Sequence, residues 1–265
     1  MNEVRPAAVA GLFYPGTGRE LRPMVEEFLS AAVVLEPGYL PKAVIAPHAG
    51  FVYSGPIAGS AFRCFAADAE VIHKIILIGP AHRLPVRGLA LPGQEAFETP
   101  LGTVPVDGDL VEMISSMPQV STNAAAHAPE HCLEVELPFL QIVLGSFSVL
   151  PLLVSQVSAE DVAEVLDRVW GGPETRIVVS SDLSHYLSYE SALETDRDTA
   201  RQVVNLSQPI TEHRACGAVA INGLLAAADE RGLAARLLDL RNSGDTAGDR
   251  LRVVGYGSFA FAALS

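Results

Sequence analysis

Three short apolar runs in this sequence each end in a turn that carries an imidazole. Residues 43–46 run into P-H-A-G-F, with His48 just past the run, and residues 74–78 run into G-P-A-H, with His82. Residues 176–179 run into S-S-D-L-S-H, which carries Asp182 and His185. Neutral imidazole is a ligand for Fe, Zn, Cu or Ni and the side chain best suited to acid–base work near neutral pH. Pro47, Ala49 and Gly50 beside His48, and Gly79, Pro80 and Ala81 before His82, are small and leave room for an ion or ligand beside each ring. A turn histidine can equally do no more than bond local carbonyls, and spacing alone weighs the two evenly. Asp182 and His185 can point into one cavity from a strand-to-helix turn, where the carboxylate orients the imidazole or relays protons with it. A helix cap by Asp182 or Ser184 is the competing reading.

Further along, Glu130, His131 and Glu134 open a predicted helix, with His131 and Glu134 on one face, so His131 is a second acid–base candidate. His127 precedes it by four residues, but Pro129 lies between and H-E-x-x-H is missing, so His127 is expected to be superficial. His73, beside Lys74, is expected to be solvated. Cys216, in H-R-A-C-G, falls at the start of an apolar helix, where exposed N–H groups and the helix dipole favour thiolate. Gly217 allows close approach to it, and pairing with a histidine would make it a covalent nucleophile. Cys64 and Cys132 read as small core residues. The sequence has no G-x-S-x-G, no Walker lysine and no G-x-G-x-x-G after a strand.

These residues need elements to position them. Alternating apolar runs and helical patterns give the α/β class, with a sizeable sheet covered by helices and the histidine-bearing turns at strand carboxyl ends. Helical spacing is predicted over 20–32, 57–65, 130–140, 190–206 and 215–228, the last apolar nearly all round. Asp107 and Ser158 are predicted caps for two more helices. Short strands are predicted at 88–91 and 103–105, and 147–154 reads as a strand that Pro151 consigns to an edge or a bulge. Strands at 233–240 and 251–256 follow, and 258–262 closes the fold. No hinge divides the chain, so one domain over 1–265 is expected.

Composition excludes some partners. Eighteen basic against thirty-one acidic residues give a net charge of −13, which disfavours nucleic acid and anionic membrane. Three cysteines give no disulfide framework, and the N-terminus lacks a signal-peptide pattern, so a cytoplasmic protein is expected. No uncharged apolar run reaches the length of a membrane span.

Taken together, P-H-A-G-F-V-Y-S-G, I-L-I-G-P-A-H, E-H-C-L-E-V-E-L-P-F-L, V-V-S-S-D-L-S-H-Y and A-C-G resemble, in order, the Memo-like family, protein B of the AmmeMemoRadiSam system. The resemblance implies a central mixed, mostly buried β-sheet flanked by helices, as in class III extradiol dioxygenases. It implies His48 and His82 as ligands of a divalent or redox metal, Fe(II) first, with Cu or Zn as alternatives. Cys216 falls at the third-ligand position, a softer donor than the dioxygenase carboxylate and one that favours Cu(I) or Zn. His131, Asp182 and His185 are implied as the catalytic polar shell. The implied function is metal-dependent redox chemistry on a small-molecule substrate. The other implied reading is a non-catalytic protein that binds a peptide or a partner, among them AMMECR1-like and radical SAM proteins.

Overall fold

The computed structural model describes residues 3–36 and 38–263. The chain opens with β1 (Val4–Arg5) and α1 (Gly18–Ala31), then alternates through β2 (Ala43–Ala46), α2 (Phe51–Arg63) and β3 (Lys74–Pro80). A region of short elements follows: β4 (Leu89–Leu91), β5 (Ala96–Thr99), β6 (Gly102–Pro105), α3 (Gly108–Ile114), β7 (Val120–Thr122) and α4 (Ala124–His127). Then come α5 (Leu137–Leu144), β8 (Ser148–Val154), α6 (Ala159–Arg168), β9 (Thr175–Ser180) and β10 (His185–Leu187). The chain finishes with α7 (Tyr189–Val204), α8 (Ala218–Glu230), β11 (Leu233–Asn242) and β12 (Val253–Ala263).

Among the described residues the main sheet runs β10-β12-β2-β9-β3-β8-β4-β7, with β11 on the outer side of β12, and β1, β5 and β6 form a separate small sheet. Strands β2, β9, β3 and β8 are parallel, while β12 and β4 join antiparallel, so the sheet is mixed as expected. Its central strands are buried on both faces, and alternate residues enter different cores because successive side chains of a strand point to opposite sides. Val44, Ile75, Leu77, Val149 and Val178 pack under α1, α2 and α5; Ile45, Ile76, Ile78, Leu150, Ile177 and Val179 pack under α6 and α8. Among the described residues no helix is long and apolar enough to cross a membrane.

Several local expectations change. Strand β8 lies inside the sheet, between β3 and β4, rather than at an edge. Two residues before Pro151, the Val149 carbonyl turns away from β3 to accept from the Asp107 N–H at 2.8 Å. Pro151 therefore presents its missing N–H to the same side, in the gap between that contact and the Leu153–Ala90 pairing with β4. Helix α2 begins at Phe51, six residues before the predicted 57. Gly55 and Gly59 do not break it: a Cβ would lie 2.3 Å from the Phe28 ring at the first and 2.7 Å from the Phe28 carbonyl oxygen at the second. The glycines let α1 lie close against α2. The predicted helix 130–140 forms α only from Leu137, because the Glu130 carboxylate takes the N–H groups of His131 and Cys132 into a turn. The two strand candidates at 251–256 and 258–262 are one strand, β12.

Candidate metal centre

The parallel strands deliver their histidines as the sequence pattern implied. His48 lies two residues beyond β2, His82 two beyond β3, and Asp182 two beyond β9, all at the carboxyl end of the sheet. The turn before α5 brings His131 to the same place. The ligand atoms of His48, His82 and His131 lie within 4.8 Å of one another. The ring centroids are 5.1 Å apart for His48 and His82, 5.0 Å for His82 and His131, and 5.5 Å for His48 and His131.

His48 is 2% exposed and held on every side. Its N–H donates to Asp182 Oδ1 at 2.8 Å, Nδ1 lies 2.7 Å from Ser180 Oγ, and Nε2 lies 3.3 Å from Cys216 Sγ. Burial, helped by the neighbouring His82 and His131 rings, pushes its pKa well below the ordinary imidazole value, so the ring is neutral. The other two rings are organised by Glu130, which is 3% exposed. Its carboxylate accepts from the His82 N–H at 2.6 Å and the His131 N–H at 2.8 Å. The same Oε1 lies 3.1 Å from His82 Nδ1 and 3.0 Å from His131 Nδ1. Burial by itself would raise the Glu130 pKa, but the two imidazoles outweigh it and hold the carboxyl far below its usual range. Nδ1 of His48 and of His82 has an oxygen partner behind the ring, whereas His131 Nδ1, though 3.0 Å from Glu130 Oε1, has no hydrogen-bond partner among the described residues. Such a carboxylate or hydroxyl behind an imidazole is how proteins orient metal-binding histidines.

Asp182 is buried, and that burial raises its carboxyl pKa against the opposing pull of His185 and the His48 N–H. Asp182 and His185 line an open cavity of about 850 Å³ with His48, His82 and His131. Phe13, Tyr53, Tyr186 and Tyr256 form its walls, and Arg83 and Arg252 stand at it as the cationic side chains. Tyr186 takes a left-handed backbone conformation, φ +58°, with Arg252 stacked over its ring at 5.1 Å.

Cys216 touches the histidine cluster from behind. It borders a separate cavity of about 270 Å³ that it shares with His82 and Glu212. The thiolate expected from the helix start is not favoured by the protein alone: burial and the Asp182 carboxylate push the thiol up to about 12. The helix N–H groups are already engaged, Gly217 with Ser181 Oγ at 2.9 Å and Ala218 with the Ala215 carbonyl at 3.1 Å. A bound cation would restore the thiolate.

The structure brings all six sequence candidates, His48, His82, Cys216, His131, Asp182 and His185, to one end of the sheet. His127 is elsewhere and buried rather than superficial: Nε2 lies 2.7 Å from the Ala90 carbonyl, and burial lowers its pKa to about 4. Glu134 turns away from His131 and accepts from Arg5 at 2.7 Å, from the Ala8 and Val9 N–H groups, and from Tyr14. Sequence reasoning passed over Glu130, Glu136 and Ser180 as site residues. Only Glu130 carried a signal, its position directly before His131. The donor set of imidazoles and one thiol, backed by carboxylates, fits a transition metal of the Fe, Zn or Cu kind and not Mg or Ca.

Known proteins resemble this chain over nearly its whole length. The family described as Memo-like protein matches residues 5–260. A MEMO1 family protein of Aquifex aeolicus is 35% identical over 96% of this chain and 97% of its own length. Others from Methanopyrus kandleri and Thermotoga petrophila are 32% and 34% identical, covering 97% and 95% of this chain and 98% and 97% of their own. The crystal structure of an uncharacterised Escherichia coli K12 protein, JW3007, shares the fold at a TM-score of 0.50 and 15% identity, over 81% of this chain and 98% of that one. The match across nearly the whole length is decisive: the chain belongs to the Memo-like protein family.

Proposed function

We propose that this protein holds a transition metal at His48, His82 and Cys216 and uses it in redox chemistry on a small substrate. The observation that carries the reading is the convergence of three imidazoles beside a cavity large enough for such a substrate. Cys216 as third ligand is supported by its 3.3 Å spacing from His48 Nε2. Two donors bound to one ion at about 2.0–2.3 Å stand close to that distance apart. Fe(II) is the first choice, with Cu or Zn as alternatives. When bound, the ion would act as a Lewis acid and redox centre. His131 and His185 face the cavity as proton acceptors for a substrate hydroxyl. A second assignment, with His131 as third ligand, is supported by its ligand atom lying within 4.8 Å of the other two histidines.

Metal analysis after anaerobic purification and reconstitution tests this. Stoichiometric metal is expected in wild type and its loss in His48→Ala. Equal substoichiometric Fe, Cu and Zn in both refutes the centre. Loss in Cys216→Ser but not in His131→Gln supports the thiolate ligand, and the reverse supports the three-histidine set. Association with AMMECR1-like or radical SAM proteins in the cytoplasm rests on the sequence resemblance and the free thiols Cys64, Cys132 and Cys216. If partner binding survives Cys216→Ser and metal removal while no turnover is found, the binding role replaces the enzymatic one.

A further inference from the structure

Behind His48 lies a buried acid that the metal-centre reading does not use. Glu136 and Ser180 are both fully buried, and Glu136 Oε1 lies 2.8 Å from Ser180 Oγ. The same hydroxyl lies 2.7 Å from His48 Nδ1 and 2.8 Å from the Cys132 carbonyl oxygen. Ser180 therefore has three partners and a single hydrogen to give, with two lone pairs to receive. A backbone carbonyl can only accept, so the Ser180 hydrogen goes to Cys132. For the other two contacts to be hydrogen bonds, both partners must donate: His48 through Nδ1–H, and Glu136 through a carboxylic O–H. With that hydrogen committed to one acceptor, this is the assignment in which all three contacts are hydrogen bonds.

The second Glu136 oxygen leads to the same protonation state. Oε2 is buried and has no hydrogen-bond partner among the described residues. A carboxylate would leave part of a charge unsolvated there, whereas a neutral acid leaves only a carbonyl oxygen. Burial, reinforced by the Asp182 charge, raises this carboxyl well above its usual range.

From this geometry we infer that Glu136 is present as the neutral acid and donates to Ser180, and that Ser180, its hydrogen committed to the Cys132 carbonyl, is a positioning residue that holds His48 as the Nδ1–H tautomer. The hydroxyl is left with a single open acceptor site, and His48 fills it. The Nε2 lone pair then points away from the relay, toward Cys216 Sγ and the other two histidines. The consequence for metal binding rests on the metal-centre reading; the protonation states do not.

Two spectroscopic measurements on the metal-free full chain test the inference. In infrared difference spectra, wild type minus Glu136→Gln should contain the carbonyl stretch of a buried neutral carboxylic acid at neutral pH. In ¹⁵N-histidine NMR, with His48 assigned by its absence in His48→Gln, wild type should carry the His48 proton on Nδ1. Glu136→Gln, whose amide still donates, should keep that tautomer. Glu136→Met should keep it too, because the Cys132 carbonyl still takes the Ser180 hydrogen, whereas Ser180→Ala should populate the Nε2–H form and weaken metal binding about tenfold or more. A carboxylate band in place of the acid band overturns the inference, and so does an Nε2–H tautomer in wild type. Because both readouts precede metal addition, an Nδ1–H ring and a neutral Glu136 uphold the inference even if wild type and His48→Ala then bind metal equally, which would sink the metal centre alone.

Discussion

His48 and His127 are both buried imidazoles that stay neutral, and they differ in what their Nε2 meets. His48 turns Nε2 to Cys216, whereas His127 spends it on the Ala90 carbonyl, so only the first has a lone pair to offer. The His127 environment has a pH signature of its own. Its folded pKa of about 4 lies below the ordinary histidine value of about 6.5, so the unfolded chain takes up a proton first as pH falls. The stability His127 lends is complete above pH ~6.5 and is lost on the way down to pH ~4, on the order of 2–3 kcal/mol in all. In urea titrations, the advantage of wild type over His127→Gln should accordingly be largest above pH ~6.5 and narrow toward pH ~4. At this scale the sequence exposed His48 and His82, because small residues and strand ends mark them. It hid Glu136 and Ser180, which meet across 44 positions and have no local pattern to announce a shared hydroxyl.

Helices and strands were legible wherever periodicity was strong, and misread where a single Gly or Pro took on a tertiary role. The α1–α2 contact shows why. Gly55 looks like a breaker in sequence and Gly59 falls inside the predicted helix 57–65, and each marks a place where one helix presses on Phe28 of the other. The two should respond differently to an added methyl group. At Gly59 the obstacle is a backbone carbonyl oxygen, so Gly59→Ala should destabilise by about 1–3 kcal/mol despite the better helix propensity of Ala. At Gly55 the obstacle is a side-chain ring, so the loss in Gly55→Ala should be largely recovered by adding Phe28→Leu. Thermal or urea denaturation of the two single variants and of each combined with Phe28→Leu checks this, and equal rescue at both positions would contradict it. Pro151 misled in the same manner: the rule that prolines sit on edges is a statement about an unpaired N–H, and a gap inside the sheet satisfies it equally well.

Across the whole molecule, the end of the sheet that bears the histidines is closed by distant pieces of chain. The segment holding Arg5, Ala8, Val9 and Tyr14 is tied to Glu134, four residues beyond Glu130, through a buried ion pair and three further hydrogen bonds. Arg5 also donates to the His127 and Glu130 carbonyls, so one guanidinium spans the turn that carries His131. Arg5→Met strands the Glu134 charge and should cost about 3–5 kcal/mol, read from the urea midpoint. The mixed sheet and its helical cover were readable from the alternation of apolar runs. The strand order, and the fastening of the N-terminus onto the His131 turn across more than a hundred residues, arise from contacts between separate stretches of chain and left no mark on local spacing.

One further consequence follows from where Cys216 sits. The sulfur is a party wall: the histidines have the large chamber in front, while the thiol opens onto the small one behind. A compact alkylating reagent can therefore approach by the back door while the front chamber stays free. Labelling of Cys216, followed by mass spectrometry of the tryptic peptide, should slow when metal is added and be indifferent to a bulky ligand in the front chamber. Cys216 would then serve as a gauge of the centre, read from the side where no substrate stands.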